Sequence, residues 1–194
     1  MRLAIADPPY LGRAAVWYGD KMGKSQLGKN HGGTAKIQGP RPADHHPDAH
    51  LWDDPAKHQE LVDKLIAEYD GWAIAMAHDN LRAYYGFIPP SVPIRVGIWT
   101  KPQTMPGGAR VLNVWEPVMI RIPEGRRAST GATVFPRDSV TISRLNNGFA
   151  GAKPPQWTRW VLDMLGYDPE ADEVDDLFGG SGAIAAELAQ GVLV

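Results

Sequence analysis

The sequence predicts an α/β fold with parallel strands, and two observations carry that prediction. First, the chain opens in the order strand, long excursion, helix, strand. Parallel neighbours need such a crossover, because a tight turn cannot join them. Second, a late segment, Val174-Asp175-Asp176-Leu177-Phe178, runs into Gly179-Gly180-Ser181-Gly182 and then into a helical pattern. A strand, a glycine-rich loop and a helix start in that order let a ligand approach the backbone closely. The length of 194 residues, 43% of them hydrophobic, suits a single domain (1–194) with one sizeable core.

The elements follow in chain order. Leu3-Ala4-Ile5-Ala6 is a short apolar run ended by Asp7-Pro8-Pro9, which reads as a buried strand. Residues 11–54 are rich in Gly, Lys, His and Asp and show no periodicity, which predicts a long functional loop. From Pro55 to Tyr69, Leu61, Leu65 and Tyr69 recur at helical spacing with Val62 and Ile66 beside them. This is an amphipathic helix with Asp54 as its cap. Gly71 punctuates it, and Trp72–Ala77 is a second buried strand. A short helix is expected at 79–87, before Pro89-Pro90. Strands at 94–99 and 114–120 flank the turn-rich 102–109 as a long hairpin. Residues 121–152 read as basic and irregular, and 155–165 as a helix opened by Pro154 and Pro155. Trp157 and Trp160, three apart on that helix, are expected in a core or interface. A last helix, 183–190, precedes Val192-Leu193-Val194.

Composition narrows the function. The absence of Cys excludes a disulfide scaffold, a thiolate metal site and a Cys nucleophile. No run of about 18 apolar residues exists, so no membrane span is expected. Asp7 interrupts the apolar core that a signal peptide needs. A soluble, cytoplasmic protein is the expectation. The net charge of −2 conceals an asymmetry: all 20 basic residues fall in the first 159 positions, together with 14 of the 22 acidic ones. Such a surplus suits a polyanionic partner, although an ordinary surface with one acidic loop has the same arithmetic. His45, His46, Asp48, His50, Asp53 and His58 are metal-ligand types, but their spacing matches no recognisable site and Pro47 restricts the geometry, so no metal is assigned.

Two motifs carry chemistry. Asp7-Pro8-Pro9-Tyr10 follows the first strand directly. Two prolines stiffen the turn and remove two donors, leaving carbonyls that can accept. With a carboxylate before them and a ring after, the turn can stack a planar base and bind its exocyclic amino group. A strand-ending turn with an incidental Tyr would read the same in isolation. The second motif is Asp176-Leu177-Phe178-Gly179-Gly180-Ser181-Gly182. Its Gly180–Ala185 portion also fits a dinucleotide fingerprint, a weak signal alone. No Gly-Lys-Ser/Thr follows, so it is not a P-loop.

Together the two motifs resemble those of the DNA amino-methyltransferases, in which D-P-P-Y is the catalytic motif and D-x-F-x-G-S-G the cofactor motif. The catalytic motif first and the cofactor motif last resembles the permuted β-class order. Three further pieces agree: Lys153-Pro154 before the helix with Trp157, Trp160, Val161 and Leu165; Trp115-Glu116-Pro117-Val118; and Ile98-Trp99-Thr100-Lys101-Pro102. The resemblance implies a three-layer, Rossmann-like, circularly permuted methyltransferase fold. It implies S-adenosylmethionine as cofactor and adenine N6 of DNA as the target. Cytosine N4 is not excluded, although a Ser in place of Asp7 would favour it. A catalytically inactive nucleic-acid-binding relative is an alternative, as is an RNA methyltransferase. A protein-glutamine methyltransferase would carry N-P-P-Y, and Asp7 argues against it.

By the same resemblance, Asp7 and the Pro8 carbonyl accept from the target amino group, Pro9 stiffens the turn and Tyr10 stacks on the flipped base. Phe178, Gly180, Ser181 and Gly182 line the cofactor, with Asp176 near its methionine amino group and Lys153 near its methionine end. Residues 121–152 stand where the family recognises its target. Arg121, Arg126, Arg127, Arg137 and Arg144 are the candidate DNA contacts, since Arg reads guanine edges and clamps phosphates, with a solvated basic loop as the alternative. The excursion 11–54, with Lys21, Lys24, Lys29, Lys36 and Arg41, is a candidate segment to close over the DNA. The family continues past the last helix into a strand ending in an acid that holds the cofactor ribose. Here Gly191–Val194 at most begins that strand, so the sheet is expected to be truncated there. An unpaired edge invites a homodimer or a partner chain that completes it.

Overall fold

The computed structural model describes residues 1–18, 46–102, 110–128, 135–144, 152–180 and 182–189. The elements in chain order are β1 (Arg2–Ala6), α1 (Ala14–Trp17), α2 (Pro55–Glu68), β2 (Gly71–Ala75), α3 (Leu81–Phe87), β3 (Arg95–Thr100), β4 (Trp115–Arg121), β5 (Ser139–Thr141), α4 (Pro155–Leu165), β6 (Glu173–Asp176) and α5 (Ala183–Ala189). Short 3-10 turns occupy Pro47–Asp53, His78–Asn80 and Glu124–Arg126.

The strands form one sheet in the order β5-β3-β4-β2-β1-β6. β1 lies parallel to both β2 and β6, β4 is antiparallel to β2 and β3, and β5 is parallel to β3. Five strands therefore end on the same edge of the sheet, the edge at which β4 begins. The chain leaves β1 toward β2 on one side and returns as β6 on the other. That reversal is a switch point, where open α/β sheets bind ligands beyond their strand ends.

β1 after Arg2, and the whole of β2, are apolar because both faces are covered. Leu3 and Ile5 point to one core with Trp157, Trp160, Val161 and Leu165 of α4 and Ile184 of α5. Ala4, Ala6, Trp72 and Ile74 point to a second core with Leu61, Val62 and Leu65 of α2 and Tyr84 of α3. The result is three layers, with α4 and α5 on one face and α2 and α3 on the other. Trp157 is fully buried, so the paired tryptophans of α4 serve packing. Asp54 caps α2 as expected, accepting from the Ala56 N–H at 2.9 Å, with Pro55 at the first helical position.

Two local expectations are corrected. Residues 11–54 are not one unbroken loop: the described part holds α1 and the 3-10 turn Pro47–Asp53. Asp53 binds the two segments together, accepting from the Ala14 and Ala15 N–H groups at 2.9 and 3.1 Å. Such short turns carry too few apolar residues to show a period. Within 121–152, Ser139–Thr141 is a strand rather than irregular chain. Its side chains are mostly exposed, so alternation could not reveal it. It forms because the open edge of β3 offers a ladder: Ile98 N–H donates to the Asp138 carbonyl at 2.8 Å and Ile142 N–H to Thr100 at 3.1 Å.

The residues of the His/Asp cluster that are described have backbone or core tasks. His46 accepts from the Asp48 N–H, and His50 Nδ1 lies 3.0 Å from the Pro47 carbonyl. His58 is buried between the Tyr84 hydroxyl (2.7 Å) and the Trp52 carbonyl (2.8 Å). His45 lies outside the described residues. β6 is an edge strand among the described residues, and Gly191–Val194, on which the expected truncation turned, lie outside them. No helix among the described residues is long and apolar enough to cross a membrane.

Candidate active site

The Asp7-Pro8-Pro9-Tyr10 turn leaves β1 at the edge where five strands end. Tyr10 O accepts from the Arg13 N–H at 2.9 Å, closing the turn, and Asn80 Nδ2 donates to the Leu11 carbonyl at 3.2 Å. Tyr10 is 8% exposed and its hydroxyl donates to Glu116 Oε2 at 2.9 Å. Glu116 stands at the start of β4, and its other oxygen is in an ion pair with Lys101, just past β3. Lys153, which precedes α4, donates to both oxygens of Asp7 at 2.7 and 2.8 Å and to the Tyr10 hydroxyl at 3.1 Å. Asp7, Lys153, Tyr10, Glu116 and Lys101 thus form one continuous chain of contacts. The Lys153 ammonium lies 5.4 to 5.9 Å from the rings of Tyr10, Trp157 and Trp99, close enough for cation–π attraction.

Burial and charge set the protonation of this chain. Burial pushes the Asp7 carboxyl above its ordinary 3.8, against the pull of Lys153; Glu116 and Asp176 add to the rise. Burial and the negative charges of Glu116 and Asp7 push the Tyr10 phenol far up, so it remains a neutral donor. Burial would raise Glu116 too, but Lys153 and Lys101 outweigh it and hold it below 4.5. Burial lowers the Lys101 ammonium, with Glu116 opposing.

The glycine motif leaves β6 beside this turn. Ile5 pairs with Asp176 in register, and the Leu177 N–H donates to the Ile5 carbonyl at 3.1 Å. The loops after β1 and β6 therefore leave the sheet side by side, at the switch point. Gly180 and Gly182 have φ of +26° and +71°, and Gly182 N–H donates to the Gly179 carbonyl at 2.6 Å. A β-carbon at Gly179 or Gly182 would meet nothing within 4 Å, so the backbone there faces open space. Asp176 accepts from the Phe178 N–H at 3.2 Å, and burial raises its carboxyl pKa. The Phe178 ring stands edge-on to Trp52 at 4.9 Å, and Trp52 in turn to His58 at 5.3 Å. Ser181 lies outside the described residues.

The five arginines are not brought together. β4 runs antiparallel to β2, so the chain beyond it emerges at the opposite edge from Asp7. Arg121 pairs with Trp72 there and donates to the Ile66 carbonyl at 3.4 Å. Arg126 grips the buried Asp172 carboxylate with both guanidinium nitrogens. Arg127 Nε donates to the Ile122 carbonyl at 3.2 Å. Arg137 is exposed and precedes β5, on the same far side. Arg144 alone of the five follows a strand to the edge that carries Asp7, where its charge acts on Lys101. Lys21, Lys24, Lys29, Lys36 and Arg41 lie outside the described residues.

Sequence reasoning gave Glu116, Lys101 and Trp52 no task at the site. The signal for the first two was present. Each is a charged residue beside the apolar stretch of a strand, where burial demands a partner. Trp52 carried no such signal.

No protein-family model matches the chain, and no curated protein matches it. Among solved structures, the M1.HpyAVI–SAM complex matches with a TM-score of 0.55 and 13% identity, over 97% of this chain and 77% of that one. The chain shares the fold of that protein, an open, mostly parallel α/β sheet with helices on both faces.

Proposed function

We propose that the chain is an S-adenosylmethionine-dependent DNA methyltransferase that acts on adenine N6. One observation carries the reading: the Asp7–Tyr10 turn and the Asp176–Gly182 loop leave neighbouring parallel strands, β1 and β6, on the same edge of the sheet. A solved structure with the same fold is a complex with S-adenosylmethionine. The residues here fit such a ligand, because left-handed Gly182 and open Gly179 leave room for a close backbone approach.

S-adenosylmethionine supplies a methyl group on a sulfonium, a good leaving group. The rest falls to the chain. Asp176 offers a carboxylate to the donor's amino group, and Phe178 offers a ring braced by Trp52. Asp7 and the Pro8 carbonyl accept from the exocyclic amino group of the base, which turns the nitrogen lone pair toward the donor. Tyr10 presents its ring to the base with its hydroxyl anchored on Glu116. The proton lost from nitrogen passes to Asp7 or to water. An Asp rather than a Ser at position 7 supports adenine over cytosine. Arg144 is the arginine we assign to DNA, because it lies on the edge that carries Asp7.

The test is transfer of tritiated methyl from S-adenosylmethionine to DNA, RNA and protein, with single-molecule sequencing to locate the modified base in DNA. N6-methyladenine in DNA is the expected product. Absence of cofactor binding by calorimetry at millimolar concentration overturns the enzyme reading. Cofactor binding with methylated RNA or protein, and no methylated DNA, overturns the substrate.

A further inference from the structure

Lys153 and Asp7, 146 positions apart in sequence, form an ion pair through both carboxylate oxygens, and the reaction outlined above does not use it. The family resemblance put Lys153 at the methionine end of the cofactor. The geometry points elsewhere. The ammonium bridges both oxygens of Asp7 and reaches the Tyr10 hydroxyl, so it touches the acid and the ring that face the base. It is 3% exposed, whereas Asp7 is 21% exposed. The charged nitrogen therefore sits behind the carboxylate, on the protein side.

We infer that Lys153 is a positioning residue that keeps the Asp7 carboxylate ionised and aimed at the target amino group, with Glu116 and Lys101 steadying Tyr10 in the same array. This deepens the methyltransferase reading and rests on it. Asp7 must be ionised to accept from an N–H group and to take its proton. Among the described residues, the other groups that act on its charge carry like charge or are neutral phenols. Glu116 from β4 and Asp176 from β6 carry like charge. Tyr10 of its own turn and Tyr84 of α3 are neutral phenols held above their ordinary range. Lys101 of the β3 end and Arg144 stand beyond Glu116. Among the described residues, Lys153 is the cation in direct contact with Asp7. An ammonium also fits the position because the rings of Tyr10, Trp99 and Trp157 stand 5.4 to 5.9 Å from it.

The experiment compares wild type, Lys153→Gln and Lys153→Arg in the full chain, with kcat and KM measured across pH. An opposite charge at contact lowers a carboxyl pKa by about 1–3 units. Removing the charge should therefore move the acid limb of kcat upward by about one pH unit or more. The KM for S-adenosylmethionine should change less than about threefold, as expected for a group off the cofactor. Lys153→Arg should return the limb at least halfway. An acid limb that stays in place in Lys153→Gln overturns the inference. So does a KM for the cofactor raised about tenfold with the limb unmoved, which would return Lys153 to the methionine end. A readout free of activity separates this from failure of the enzyme reading. In protein labelled with 13C at Asp carboxyls, the Asp7 signal (identified by its loss in Asp7→Asn) should titrate at higher pH in Lys153→Gln. An unchanged Asp7 titration overturns the inference whether or not methyl transfer is observed.

Discussion

Replacing Arg126 with Ala removes the main partner of a buried carboxylate at the edge opposite the site. The Asp172 side chain is fully buried and accepts from the Arg126 guanidinium, the amino-terminal ammonium at 2.9 Å and the Asp168 N–H at 2.8 Å. Burial pushes its carboxyl up, but these donors, Arg126 foremost, outweigh it and hold it at about 2 instead of 3.8. At about 1.4 kcal/mol per tenfold change in proton affinity, the set contributes about 2 kcal/mol to stability near neutrality. A carboxyl depressed by folding contributes fully above its unfolded value and loses that contribution as pH falls through the folded one. The window here is from about 4 down to 2. Arg126→Ala should therefore cost about 1.5–2.5 kcal/mol near neutral pH, and the gap to wild type should close through that window. Urea unfolding followed by Trp fluorescence at several pH values measures both, with an unchanged m-value as the control. A loss that is the same at neutral and at acid pH refutes the reasoning. On the proposed DNA reading, the salt dependence of DNA affinity should be unaltered in the variant, because this guanidinium is committed to Asp172.

Two other perturbations test the packing that positions the site. Gly71→Ala places a β-carbon 2.6 Å from Cδ and Cγ of Pro123 and 3.1 Å from the Arg121 carbonyl. It should cost about 1–3 kcal/mol in thermal unfolding, and Pro123→Ala in the same chain should recover most of it. His58→Phe deprives the Tyr84 hydroxyl and the Trp52 carbonyl of their partner, at about 1–3 kcal/mol near neutral pH. Burial holds the His58 imidazole below 6.5. Folding is therefore disfavoured as pH falls below the unfolded value, and the variant should lose stability less steeply than wild type between about pH 7 and 5. A parallel decline in the two proteins would remove His58 as a source of that slope.

Much of the scaffold was legible because its signals are local. The Leu61–Leu65–Tyr69 spacing and the Asp54 cap announce α2 within a few turns of chain. The unbroken apolar runs at Leu3–Ala6 and Trp72–Ala77 announce strands covered on both faces. The hairpin of β3 and β4 followed from two β-rich runs around a turn-rich stretch. β5 was not legible, since three exposed residues become a strand only beside a free edge. The arginines show a related effect: five of them cluster along the chain, but the direction of β4 sends most of that stretch to the edge opposite Asp7.

By itself, the order of residues determined the parallel crossover, the two apolar faces of the sheet and the pair of motifs at its switch point. These depend on periodicity, capping and turn chemistry, which act over a few neighbouring positions. Only the tertiary structure decided which charge meets which. Lys153 reaches Asp7, Glu116 steadies Tyr10 and Arg126 turns to Asp172, in each case across at least 46 positions. Strand order and direction place those groups, and a buried charge takes the nearest opposite partner that the fold supplies.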